Sequence, residues 1–226
     1  ERMEARFANL LFTRMSSVKP DIKFRYLKAG FEITGDHEQT KDAREVWDYY
    51  QDLIAEIRLE MVVDGSSQVG TEPFGVRVDI VHTDAVGRES GGFQKYATNQ
   101  NNQAYAYNYG RPTENYRDKF HDAAIASLQE NFELLSATFN SENMEPLQGD
   151  EEGWERTPYA YLLLQARGPQ VDRIPEVKLD LDFKDTTGFF IMPVVSSPVA
   201  IDASRDQDQR PFEGLEVSQL LDERKL

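Results

Sequence analysis

The chain alternates between two hydrophobic periods. Met3, Phe7, Leu10, Leu11 and Met15 fall at i, i+4, i+7, i+8 and i+12, the stripe of an amphipathic helix that ends before Pro20. Ile22, Phe24 and Tyr26 then alternate, as do Phe31 and Ile33 beyond Gly30, which predicts two short strands. Asp42 with Glu45 three residues later reads as a capping box. It opens a helix whose apolar positions are Ala43, Val46, Trp47, Tyr50, Leu53 and Ile54. Residues 1–56 thus read as a small mixed α/β element.

From Ile57 the period becomes two. Ile57, Leu59, Met61 and Val63 share one face and Arg58, Glu60 and Val62 the other. After a turn-rich segment, Phe74, Val76, Val78, Ile80 and His82 alternate with Arg77 and Asp79, the mark of strands with one solvated face. Tyr116, Phe120, Ala123, Ala124, Leu128, Phe132 and Leu135 predict one long helix over about 114–137, with Pro112 and Thr113 at its start. An acidic loop follows over 141–156. YAYLLLQA, 159–166, reads as a buried strand. Val177, Leu179, Leu181 and Phe183 alternate with Lys178, Asp180 and Asp182 before the turn DTTG at 185–188, which predicts a hairpin with Asp180 and Asp182 in solvent. Pro193 and Pro198 make its second arm an edge or bulged strand. The tract from 202 onward is polar and reads as a linker or terminal segment.

The segment from 57 to 81, with its VG-x-x-PFGV run between two alternating strands, resembles the start of immunoglobulin-like sandwiches. The resemblance implies an α+β chain in which residues 57–201 form an antiparallel β-sandwich with one inserted helix. It implies no function.

Charge and composition narrow the functional classes. A formal charge of −15 and an isoelectric point near 4.6 disfavour nucleic acid or an anionic membrane as partner. Without cysteine, thiol catalysis and thiolate metal sites are excluded. The start at Glu1 rather than Met suggests a piece cut from a longer or processed precursor, and the parent is expected to be an extracytoplasmic protein. His37, His82 and His121 are scattered without ligand spacing, so neither metal nor cofactor is expected. Asp206, Asp208 and Glu213 fail the EF-hand pattern, since Pro211 stands where glycine is required. Gly91 and Gly92 match no phosphate loop and read as a turn or bulge after a strand ending near Arg88. No nucleophile elbow is present.

One stretch stands out. Tyr105, Tyr107 and Tyr109 repeat at period two beside the amide run that includes Asn101, and Arg111 follows. Rings on one strand face either pair across a sheet or grip a ligand. The structural role is the first reading. The second makes these five residues a surface for a protein or glycan partner. The functional expectation is a non-catalytic binding or structural module; the alternative is a hydrolase using carboxylates or His121 near the helix and loop junction.

Overall fold

The computed structural model describes residues 2–35, 38–99, 115–142 and 144–204. The fold is mixed α+β with antiparallel sheets. Three helices open the chain: α1 (Arg2–Thr13), α2 (Pro20–Thr34) and α3 (Lys41–Ala55). The two strands expected over 22–33 are instead the middle of α2. Pro20 takes the first helical position, where its missing N–H costs nothing. The residues turned inward are Lys23, Leu27 and Gly30, at i, i+4 and i+7, a period hidden under the local alternation. Gly30 marks a crossing of helices and not a turn. A Cβ there would stand 2.4 Å from Leu11 Cδ1 of α1, so the missing side chain lets the helices close. Of the stripe on α1, Leu11 is buried with Met15 just beyond, while Met3, Phe7 and Leu10 are exposed. In α3, Ala43, Val46, Tyr50 and Leu53 face inward as their spacing predicts. The capping box is not formed: Thr40 is the N-cap residue, and Asp42 lies inside the first turn.

The main sheet has the order β1-β2-β5-β3, with β4 also on β5. Its strands are β1 (Ile57–Val63), β2 (Phe74–Thr83), β3 (Phe132–Phe139), β4 (Leu147–Gln148) and β5 (Trp154–Ala166). Ile57, Leu59, Met61, Phe74, Val76, Val78, Ile80 and His82 all point into the core as their alternation requires. The β2–β5 register shifts between Val78 and Asp79, where β5 carries the extra residue Tyr159, and Asp79, expected in solvent, is fully buried. Strand β2 ends at Thr83, whose hydroxyl accepts the Val86 N–H and caps the short helix α4 (Asp84–Ser90). Gly91 and Gly92 do form a turn, with φ of 69° and 85°, but it ends this helix and not a strand.

The long helix expected over 114–137 divides. Helix α5 covers Tyr116–Leu128, and Phe132 and Leu135 belong to β3. The turn at Gln129–Asn131 reverses the chain, and the Asn131 carbonyl accepts the Arg167 N–H just past β5. The β-compatible FELLSATF run then pairs with β5 from Phe132 to Phe139, burying Phe132 in the core.

Short strands β6 (Arg173–Ile174) and β9 (Val199–Ala200) pair together. Between them β7 (Lys178–Asp185) and β8 (Gly188–Val195) form the expected hairpin, with Asp185 opposite Gly188. Leu181 and Phe183 are buried. Asp182, predicted for solvent, is buried too, because α5 and the turn carrying Tyr96 cover that side of β7. Helix α2 packs on β8. Past the hairpin, Ser196 bridges to Leu59 of β1 in parallel sense. One cluster of buried side chains runs from Leu11 and Leu27 through Leu59 and Val78 to Phe183 and Phe190.

Candidate functional site

The opening helices and the hairpin turn converge on a buried polar chain. Lys23 of α2 donates from Nζ to the Thr187 hydroxyl (2.9 Å) and carbonyl (3.2 Å). The Thr187 hydroxyl and N–H each donate to Asp185 Oδ1, at 2.6 Å. The Tyr50 hydroxyl of α3 donates to Asp185 Oδ2. Lys23 and Asp185 form an ion pair at 3.9 Å with 2% of each side chain exposed. A two-residue hairpin loop places Thr187 two positions after Asp185, which lets its amide close on that carboxylate. Burial lowers the affinity of the Lys23 amine for its proton, partly offset by Asp185. Burial and then the Asp185 hydrogen bond push the Tyr50 hydroxyl far above the usual phenol range. The Tyr50 ring stacks on Phe190 with centroids 3.7 Å apart.

Against this cluster opens a cleft of about 480 Å³, between Phe12 of α1, Asp42, Glu45, Val46 and Tyr49 of α3, and Lys184, Asp185 and Thr186 of the hairpin. That is the size range of small-ligand sites. Phe12, Val46 and the Tyr49 ring give it apolar walls. The Tyr49 hydroxyl donates to Glu89 Oε2 at 2.8 Å; burial, then Glu89 and Asp185, hold its proton firmly. At the mouth Asp42 and Glu45 are exposed, one helical turn apart, and neither is hydrogen-bonded or ion-paired among the described residues. The Lys184 ammonium lies 5.4 Å from the centre of the Phe189 ring.

A second cavity, about 420 Å³, lies between α5 and β3 and includes Arg117, Asp118, His121, Thr138 and Ser141. His121 is exposed, with Nδ1 4.0 Å from Asp122 Oδ1. Among the described residues it makes no hydrogen bond to a hydroxyl. His82 is used structurally. Its Nδ1 meets the Thr83 carbonyl and its Nε2 the Thr157 hydroxyl, both at 2.9 Å, tying β2 to β5. A further buried group joins Asp182 Oδ1 to the Tyr96 hydroxyl and Lys95 Nζ, each at 2.9 Å, while Tyr159 donates to the Tyr96 carbonyl.

Tyr105, Tyr107, Tyr109, Arg111 and Asn101 lie outside the described residues, as do His37, Asp206, Asp208 and Glu213. Lys23 was not singled out by the sequence pattern, and Tyr50 and Asp185 entered it only as a helix-stripe position and a turn residue. A lysine four residues before Leu27 on a helical face is the signal that would have found the first of them. Among the described residues no group of three His, Asp or Glu side chains is arranged to hold a metal ion, and no helix is long and apolar enough to cross a membrane. No family model, curated protein or solved structure matches the chain.

Proposed function

We propose that this chain is a non-catalytic binding module of an extracytoplasmic protein, and that the cleft between α1, α3 and the hairpin turn is where it binds. The observation that carries the reading is the pairing of an apolar-walled cleft with a polar cluster whose members are already committed to one another. Lys23, Thr187, Asp185 and Tyr50 hold the cleft's shape through mutual hydrogen bonds. A group performing proton transfer needs a proton-accepting or donating position open to substrate, and this cluster directs its own positions inward.

A hydrolytic reading would centre on His121 and its cavity. Among the described residues His121 makes no hydrogen bond to a hydroxyl that could serve as the nucleophile of such chemistry.

The test is a ligand-observed NMR screen of fragments against the wild type, Val46→Trp and Thr186→Trp, with folding of each checked by amide spectra. Fragments that bind the wild type and are lost from a folded tryptophan variant support the cleft. Binding that survives both variants, or no binding at all, overturns the reading.

A further inference from the structure

Resting on the reading of this cleft as a binding site, we infer that its occupant is a basic side chain, lysine or arginine, from an extended segment of a partner protein. Phe12, Val46 and Tyr49 present apolar surface to a hydrocarbon stem, and aromatic rings in a site wall attract a cation. Asp42 and Glu45, three residues apart on α3, stand together at the mouth, since i and i+3 share a helical face.

The Lys23–Asp185 pair neutralises itself. Glu89, which accepts from Tyr49, and Lys184, beside the Phe189 ring, keep one negative and one positive charge, which cancel in sum. Asp42 and Glu45 are the surplus charge left for a ligand.

Their position in the first turn of α3 also complements the helix dipole. That role accounts for stability but predicts no preference for a charged guest. Two full negative charges outweigh the roughly half positive charge of a helix N-terminus, so an anionic guest is repelled. A net charge of −15 further speeds approach of a cationic partner. A side chain delivered by a peptide suits the site better than a free amine, because the cleft's volume leaves room for flanking backbone at the rim.

The experiment is a calorimetric titration at physiological salt with the blocked peptide amide acetyl-Gly-Leu-Arg-Leu-Gly-amide. Its citrulline counterpart, which keeps the shape and removes the charge, and free butylguanidinium serve as comparisons. The expected result is binding of the arginine peptide at least about tenfold tighter than either comparison ligand, a difference of about 1.4 kcal/mol. Asp42→Asn combined with Glu45→Gln should abolish that margin while leaving the fold intact. Equal binding of the arginine and citrulline peptides overturns the charge inference and leaves the cleft reading standing. Butylguanidinium binding as tightly as the peptide overturns the partner-protein source. An arginine preference that persists in the double rim variant assigns it to the acidic surface at large and overturns the proposal. If the fragment screen finds ligands for the cleft but no peptide binds, the basic side chain alone is wrong; if both fail, the cleft reading falls.

Discussion

Lys23 and Asp185, 162 positions apart in the chain, meet at 3.9 Å with 2% of each side chain exposed and so fasten the second helix to the turn of the hairpin. Breaking a buried pair from one side leaves a charge with no compensation, at a cost of about 3–5 kcal/mol. Lys23→Met keeps the stem's volume and removes the ammonium, so its loss in a urea titration should fall in that range. A loss below about 1 kcal/mol would show that Tyr50 and Thr187 alone satisfy Asp185.

The tyrosines predict how the protein behaves in base. Burial, joined by carboxylate partners at Tyr49, Tyr50 and Tyr96, raises the hydroxyls of Tyr49, Tyr50, Tyr96 and Tyr159 above the usual phenol value of 10. Above pH 10 the unfolded chain therefore releases these protons while the folded chain retains them, and stability falls as pH rises. Lys23 acts oppositely. Its folded proton affinity is lowered from 10.5, so it adds stability as pH rises toward that value. Four phenols outweigh one amine. Absorbance of phenolate should rise in two stages, the second coinciding with loss of circular dichroism. A single stage completed in the folded state would contradict this burial.

The sequence disclosed the elements whose periods are unambiguous. Alternation at Leu59, Met61, Val76 and Val78 identified β1 and β2 as strands, and DTTG identified the β7–β8 turn. It misled where two periods overlap. Ile22, Phe24 and Tyr26 alternate, yet Lys23, Leu27 and Gly30 are the residues that α2 buries. It misled again at Phe132, which continues the helical stripe but pairs with Ala166 of β5, a partner set by tertiary contact. The cleft was invisible for a related reason. Phe12, Val46 and Lys184 come from three separate elements, and nothing local signals their meeting. Buried Asp182 shows the same limit: alternation assigns it to the outer face, and only the packing of Tyr96 reveals that this face is covered.

Gly30 gives a prediction with a reversible sign. In an exposed helix interior, replacing glycine by alanine gains roughly 0.5–1 kcal/mol. Here the new methyl would stand 2.4 Å from Leu11 Cδ1 and 2.8 Å from Cδ2, so Gly30→Ala should instead cost about 1–3 kcal/mol by overpacking. In a Leu11→Ala background the same change should become neutral or stabilising. A double-mutant cycle by thermal or urea unfolding measures the coupling. If the two changes simply add, α1 and α2 do not close on Gly30 as the structure has them.

Asp79 and Asp182 are both buried aspartates, and their surroundings drive them in opposite directions. Burial raises Asp79 above the ordinary carboxylate value of 3.8, only partly countered by Arg77 and Arg156. Burial also opposes ionisation of Asp182, but Lys95 and the hydroxyls of Tyr116 and Tyr96 prevail and lower it. The linkage signs follow. Asp182 contributes stability above pH 3.8 that is lost as pH falls through its lower folded value, whereas the charge on Asp79 costs stability above its raised folded value, and acid relieves that cost down to 3.8. At pH 7, Asp182→Asn should therefore destabilise by more than about 2 kcal/mol, as expected when one member of a buried charged network is removed. Asp79→Asn should stay within about 1 kcal/mol of wild type, because it removes a desolvated charge along with its arginine contacts. Urea titrations of both variants at pH 7 and near pH 4 provide the check. The deficit of Asp182→Asn should persist at pH 4, where Asp182 is still charged in the fold, while Asp79→Asn should compare less favourably with wild type there than at pH 7. The reverse ranking at pH 7 would mean that Arg77 and Arg156 hold Asp79 more strongly than burial penalises it.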